Sequence, residues 1–387
     1  MAVMDANGWL DGAGGVGGEW RPRRLLVVMP NWVGDAVMAT PAARQLRELL
    51  PGAFIGGLVR PGIEEVLAGS TLFDELHSLR SSGVMGPKRV ASKLRPRRYD
   101  TALLLTNSFS TALITRIAGI PRRIGYDRDG RGFLLTERLR PLRRSEMPPF
   151  DRSATDPDAW APVPACEYYG KLASHLLIKS GLKPGRLGPL ELAVTESQRL
   201  DAMGLLVRAG VSESEIESRR LVVLNPGGNN PAKRWPAERF AALAGYLWSR
   251  YGLRPLVSGS PGEASLVRAL CDLVDVEAGP VDLPSVGVTL GALKGVVGTS
   301  GLMVTNDTGP RHIAAALGVP VVTLFGPTDR RWTTIPFADE QEIDADPTLP
   351  EEEVSNDHPG RCRVDRIGVD RVVAACDRLL RNREWAA

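Results

Sequence analysis

The chain has 387 residues, 43% hydrophobic and 24% charged, with a net charge of +3, the composition of a soluble globular protein with enough length for two cores of ordinary domain size. Four cysteines (Cys166, Cys271, Cys362, Cys376) lie far apart, with no CxxC pair and no accompanying histidine pattern, so neither a zinc site nor a disulfide framework is indicated and a reducing cytoplasm is the simplest reading. No apolar run reaches the roughly eighteen residues of a membrane span.

Taken in chain order, residues 1–21 are Gly-rich and carry Asp5, Asp11 and Glu19, unlike the basic start and apolar core of a signal peptide, so they read as a disordered tail. Leu25–Met29 is the first buried strand. It runs into MPNWVGDAVMATPAARQL, where Asp35 follows Gly34 at the strand exit. AFIGGLV, YDTALLL and RRIGYD read as further strands, with helices over Thr40–Leu50, Gly62–Leu67 and Ser110–Ala118. Apolar runs without polar alternation predict parallel strands covered on both faces. A Pro-rich passage, Leu142–Pro164, reads as a long loop or crossover. After a helix near Tyr168–Ser180 the alternation restarts: RRLVVLNPGG, a helix closed by Gly252, RPLVSGS, GLMVTND, the helix PRHIAAALG and VPVVTLFG. The prediction is α/β, with two doubly wound parallel units over residues 22–185 and 186–387 and ligands at the carboxyl ends of the strands.

Charge is unevenly divided. Residues 1–160 hold 23 Lys/Arg against 17 Asp/Glu, while the remainder is net negative. The basic runs Lys88–Arg98, Arg122–Arg131 and Arg138–Arg144 suit nucleic acid, anionic lipid headgroups or a phosphorylated glycan, or they are plain solvated surface. Aromatic residues are not interleaved with them, which argues against a single-stranded nucleic-acid groove.

Two strand exits carry phosphate-suited chemistry. In VTNDTGPRHIAAALG, Pro310 occupies a favoured first helical position, and the N–H groups of Thr308, Gly309 and Arg311 with the helix dipole suit a diphosphate. The plainer reading is that Asp307 or Thr308 caps a helix. In NPGGNNPAKRWP, Gly227 and Gly228 precede Lys233, which either neutralises a diphosphate leaving group or is simply solvated. Neither loop matches GxxxxGK[ST] or GxGxxG, so kinase, ATPase and dehydrogenase readings lose support. In SGSPGE, Glu263 could accept from ribose hydroxyls or could merely serve the first turn of a helix.

MPNWVGDAVMATPA, NSFSTALITRIAGIPRRIGYDRDGRGFLLT, NPGGNNPAKRWPAERFAALA and VTNDTGPRHIAAALGVPVVTLFGPTDRRW together resemble the lipopolysaccharide heptosyltransferases, in the heptosyltransferase II branch of glycosyltransferase family nine, from about Arg24 to Trp332. The resemblance implies the GT-B fold, with two Rossmann-like domains across a cleft: an N-terminal acceptor domain and a C-terminal nucleotide-sugar domain. It implies transfer of L-glycero-D-manno-heptose from ADP-heptose to a heptose of a lipid-linked lipopolysaccharide inner core, with inversion and without a required metal or other cofactor. Asp35 would be the general base, an ordinary carboxylate with a pKa near 3.9. Lys233 would contact the donor phosphates, and Thr308 and Gly309 would form the diphosphate turn. Asn225, Gly227, Gly228, Glu263 and Asp307 would also serve the donor, the last through its sugar. His312 would be a phosphate or sugar contact, or a packed structural histidine. Asn107, Ser108, Arg122, Arg123 and Arg131 would hold the anionic acceptor, or the arginines would anchor the loop. The expected location is cytoplasmic, with peripheral contact on the inner membrane's inner face and no nucleic-acid partner. The acidic tail ADEQEIDADPTLPEEEVSNDHPGRCRVDRI departs from the family pattern. It leaves open another inverting GT-B transferase with a different nucleotide sugar, or a non-catalytic nucleotide-sugar-binding protein.

Overall fold

The computed structural model describes residues 20–80, 83, 85–146, 160–345 and 362–381. The first half runs β1 (Arg24–Val28), α1 (Val33–Met38), α2 (Thr40–Leu49), β2 (Phe54–Val59), α3 (Ile63–Leu67), β3 (Glu75–Ser78), α4 (Gly86–Leu94), β4 (Thr101–Leu104), α5 (Phe109–Ile117), β5 (Arg122–Tyr126), β6 (Glu137–Leu139) and α6 (Ala165–Lys179). The second runs α7 (Glu196–Arg208), α8 (Glu213–Glu217), β7 (Leu221–Asn225), α9 (Ala237–Tyr251), β8 (Arg254–Val257), α10 (Ala264–Leu273), β9 (Val281–Asp282), α11 (Leu290–Gly298), β10 (Leu302–Asn306), α12 (Gly309–Ala316), β11 (Val321–Phe325), β12 (Glu340–Asp344) and α13 (Val369–Leu380).

Each half builds a six-stranded parallel sheet, ordered β3-β2-β1-β4-β5-β6 and β12-β11-β10-β7-β8-β9. The central strands are the unalternating apolar runs. Leu25, Leu26, Val27 and Val28 of β1 are fully buried, lying between β2 and β4. Each such side chain contributes about 2 kcal/mol of burial. Local signals set the helix ends. Thr195 and Gln198 form a capping box at the start of α7, and Gly252 closes α9 in the left-handed region, φ 63°.

Residues 147–159 of the Pro-rich passage and 346–361 of the acidic tail lie outside the described residues. Before the latter, β12 supplies Glu340 and Glu342 as partners for the buried Arg311. Trp20 and Arg21, read from the sequence as tail, engage the first half. The Arg122 guanidinium lies 3.9 Å above the Trp20 ring, and Arg21 Nε donates to the Ser180 carbonyl at 3.3 Å.

The inner layers of the two halves merge into one apolar cluster, running from β1, α1, α2 and α6 into α7, α11 and α12. Two joins bring them together. At the first, α1 crosses α12 so closely that a Cβ on Gly34 would sit 2.7 Å from His312 Nδ1, and one on Gly309 would sit 3.2 Å from Val33 Cβ. At the second, Lys294 of α11 reaches across to the end of α3. Its Nζ donates to the Val66 and Ala68 carbonyls at 2.9 and 2.7 Å, while Glu65 accepts from the Gly291 N–H at 2.8 Å.

Candidate active site

Asp35 sits in the first turn of α1, immediately beyond the exit of β1. Tyr169 of α6 donates its hydroxyl to Asp35 Oδ1 at 3.1 Å. Burial raises the carboxyl pKa above the ordinary aspartate value, the Tyr169 bond lowers it, and the nearby charge of Asp307 raises it again, with a net upward shift. The ordinary carboxylate expected from the sequence is thus a stronger base in its folded setting.

Asp307 comes from the other half, in the turn between β10 and α12. Arg311 donates to its Oδ1 at 3.2 Å, and Lys233 Nζ lies 3.9 Å from Oδ2. Arg311 is fully buried and is itself fixed by Glu340, at 2.6 and 2.9 Å, and by the Thr333 carbonyl, at 2.9 Å. Asp307 is therefore tied to cations and does not cap α12. Thr308 is the residue at the cap position, yet it makes no side-chain cap bond. Its hydroxyl instead accepts from Asn225 Nδ2 at 2.8 Å and donates to the Asn306 carbonyl at 3.2 Å. The positive end of α12 faces this turn without a side-chain cap, the arrangement that favours an anion.

The glycine loop after β7 is held on both sides. Glu263 Oε1 accepts from the Gly228 N–H at 2.8 Å, and its Oε2 accepts from the N–H and hydroxyl of Ser260 at 2.8 and 2.7 Å. These donors keep the Glu263 pKa below the usual carboxylate range although burial opposes them. A Cβ on Gly227 would lie 2.4 Å from Glu263 Oε1, so only glycine permits this approach. From the other side, Asn306 Nδ2 donates to the Pro226 and Gly227 carbonyls at 2.8 and 3.0 Å. Asn225 is buried between Ser258, Thr305 and Thr308, joining the exits of three strands. The side chains of Asn306 and Arg311 were not singled out in the sequence as site groups; Arg311 was named only for its backbone N–H, which donates to the Thr308 carbonyl at 3.2 Å. Their signal was a polar strand end and a helical arginine one turn after an aspartate.

His312 is 3% exposed and packs against Gly34, with Nδ1 3.3 Å from the Thr308 carbonyl. Burial first, then the Arg311 charge, pushes its imidazole down to about 3, so it is neutral at physiological pH.

On the acceptor side the structure divides the expected residues. Asn107 and Ser108 lie at the exit of β4. Ser108 helps line a cavity of about 410 Å³ at the carboxyl ends of β1 to β4, with Asn31, Arg60, Arg80, Ser110 and Thr111. Both arginines are exposed, and neither was picked out in the sequence because each stands alone after its strand. The three expected arginines are engaged by the protein itself. Arg122 and Arg123 open β5 at the edge opposite the cleft, Arg122 paired with Glu137 and Arg123 bonded to the Leu134 carbonyl at 2.7 Å and the Ile120 carbonyl at 2.6 Å. Arg131 is fully buried and bonds the carbonyls of Thr106 and Tyr126 and, at 3.4 Å, Asn107. Their guanidinium groups anchor the loop around β5.

Among the described residues no helix is long and apolar enough to cross a membrane, and no group of three or more His, Cys, Asp or Glu gathers as metal ligands would.

Two six-stranded parallel sheets, with Asp35 of one half beside the Asp307 turn of the other, are arranged as in glycosyltransferases of the GT-B fold. The chain belongs to glycosyltransferase family 9 (heptosyltransferase), whose model it matches over residues 88–155 and 161–356. It is 29% identical over 328 residues to lipopolysaccharide heptosyltransferase 2 of Salmonella typhimurium, covering 80% of this chain and 84% of that one. Among solved structures it is similar to the E. coli ADP-heptose LPS heptosyltransferase II, with TM-score 0.74 and 25% identity over 92% of this chain and 98% of that one. It shares its fold with the E. coli heptosyltransferase WaaC solved with ADP-2-deoxy-2-fluoro heptose, with TM-score 0.65 and 19% identity over 92% and 99% of the two chains.

Proposed function

We propose that this chain transfers heptose from ADP-heptose to a heptose of the lipopolysaccharide inner core, by direct displacement with inversion. The observation that carries the reading is the meeting of Asp35 from the first half with the Lys233, Asp307 and Arg311 group from the second. Asp35 takes the proton of the acceptor hydroxyl as its oxygen attacks the anomeric carbon, while the bond to the diphosphate breaks. Lys233, the backbone of Thr308 and Gly309 and the α12 dipole stabilise the charge that gathers on the departing ADP, so the reading requires no metal. Asp307, held near neutral balance by its two cations, accepts from sugar hydroxyls. Glu263 retains lone pairs for the ribose beyond those used by Gly228 and Ser260. In this reading the second half holds the donor, and the first holds the acceptor, whose phosphates and carboxylates suit Arg60 and Arg80.

The protein works at the cytoplasmic face of the membrane that carries its lipid-linked acceptor. Support comes from α4 and the turn after it, where Lys88, Arg89, Lys93, Arg95, Arg97 and Arg98 are exposed and no acidic residue intervenes in sequence. Binding to vesicles containing anionic phospholipid should fall steeply as salt rises, and salt-insensitive binding would contradict the electrostatic contact.

The test of the reaction is mass spectrometry of purified protein with ADP-heptose and an acceptor bearing one heptose on Kdo-lipid A. One added heptose, lost on Asp35→Ala while ADP still binds, is the expected result. ADP binding without transfer would redirect the donor assignment to another nucleotide sugar.

A further inference from the structure

We propose that Tyr169 is a positioning residue for the reaction: its hydroxyl fixes the Asp35 carboxylate by occupying Oδ1, which leaves Oδ2 to receive the proton of the acceptor hydroxyl. This rests on Asp35 being the base.

The geometry begins in α6, which packs against α1 and α2 and carries two adjacent tyrosines to different tasks. Tyr168 stacks on Tyr126 with ring centres 4.0 Å apart and donates its hydroxyl to Asn107 Oδ1 at 3.2 Å. Tyr126 in turn donates to the Tyr168 carbonyl at 2.9 Å. Tyr169, 7% exposed, meets the Tyr168 ring edge-on at 5.8 Å and points its hydroxyl at Asp35. The Tyr168 contacts thus lock the segment that aims Tyr169.

An ionised carboxylate only accepts, so the phenol must be the donor. Tyr169 stays protonated, because burial first and the Asp35 charge second raise its pKa well above the ordinary value. In the transfer step the acceptor O–H bond breaks, its proton goes to Asp35 Oδ2, the new C–O bond forms, and ADP leaves with the electron pair of the bond to its phosphate. A carboxylate free to rotate would present Oδ2 only part of the time, and a fixed one is ready at each encounter.

The hydrogen bond also sets the base's proton affinity against its surroundings. Asp307 faces Asp35 from the β10–α12 turn, held by Lys233 and Arg311. His312 faces α1 from α12 as a neutral ring, and Cys166 and Tyr168 lie beside Tyr169 on α6. Removing the phenol leaves burial and Asp307 unopposed.

The experiment is the pH profile of kcat/KM for Tyr169→Phe, with ADP-heptose and the singly heptosylated Kdo-lipid A acceptor. The expected result is a roughly tenfold fall in kcat near neutral pH, an acid limb moved to higher pH, partial recovery on the alkaline side, and an unchanged KM for ADP-heptose. Incorporation of 3-fluorotyrosine at position 169, a stronger donor of nearly the same shape, should move the limb the other way. An acid limb that stays in place in both variants overturns the proposal, whatever happens to KM. Asp35→Asn separates the two readings. If it turns over normally, the base assignment itself fails. If it is inactive while the Tyr169 variants keep the original profile, only the role of Tyr169 fails.

Discussion

Replacing Gly34 by alanine adds one methyl group at the crossing of α1 and α12. Its Cβ would lie 2.7 Å from His312 Nδ1 and 3.0 Å from Cε1. Ordinary contact needs about 3.5 Å, so the helices must part by about 0.8 Å, or the ring must move. The ring is 3% exposed and has little room. Stability should change modestly, since alanine gains about 1 kcal/mol of helix propensity while overpacking costs about 1–3 kcal/mol. Catalysis should suffer more. Asp35 is the next residue along α1, and a displacement of this size at a reacting group costs up to about 100-fold in rate. The assay pairs kcat for heptose transfer with calorimetric ADP affinity. The expected result is a 30- to 100-fold loss of kcat with a smaller loss of ADP affinity, because the diphosphate turn and His312 share α12. Adding His312→Ala should restore part of the rate by removing the obstructing ring. A Gly34→Ala enzyme with wild-type kcat would refute the claim that this crossing sets the position of the base.

Three further outcomes can be checked independently. His312 is held neutral down to about 3 in the folded chain, whereas an unfolded histidine takes up its proton near 6.5. Folding stability should therefore decline as pH falls from about 6.5 towards 3, by up to about 5 kcal/mol from this group, and urea titrations of His312→Gln should show a flatter decline. Glu263→Gln keeps the shape but weakens the clasp on the Gly228 N–H, and calorimetry should show ADP bound roughly five- to tenfold more weakly. Unchanged affinity would mean that Asn306 and Arg234, which donates to the Gly228 carbonyl at 2.8 Å, shape the loop without Glu263. Lys294→Ala removes two interdomain hydrogen bonds and a buried stem, so urea unfolding should show a loss of about 2–4 kcal/mol, with Lys294→Met losing less.

The central strands of both sheets were legible because β1, β2, β4, β7, β10 and β11 are unbroken apolar runs, and only a strand covered on both faces reads that way. The four strands that escaped, β3, β6, β9 and β12, are the sheet edges. ELHS, ERL, VD and EQEID are short, polar and half exposed, and nothing in them distinguishes a strand from a loop. Among site residues, Asp35, Lys233 and Asp307 stood out because each lies in the segment that leaves the carboxyl end of an apolar strand. Tyr169 did not. It lies 134 positions from its partner and reads as one more aromatic on an amphipathic helix. At Arg122 and Arg123 the sequence left acceptor binding and loop anchoring open for a related reason. Composition reports charge but not which end of a strand bears it, and Arg122 and Arg123 begin β5 whereas the cleft lies where it ends.

The Lys294 join has a mechanical meaning. Its ammonium, pushed down to about 8 by burial, rests on two uncharged carbonyls and no carboxylate. Separating α11 from α3 would return that ion to water, and hydration would compensate for much of what the two bonds supplied. Sliding one helix along the other would instead leave it dry and unpartnered, at far greater cost. The contact is therefore stiff in shear and compliant in opening, the behaviour of a hinge pin. Even above pH 8, where the amine is neutral, two N–H groups remain for two carbonyls, so the pin keeps its seat while the charge it carried disappears.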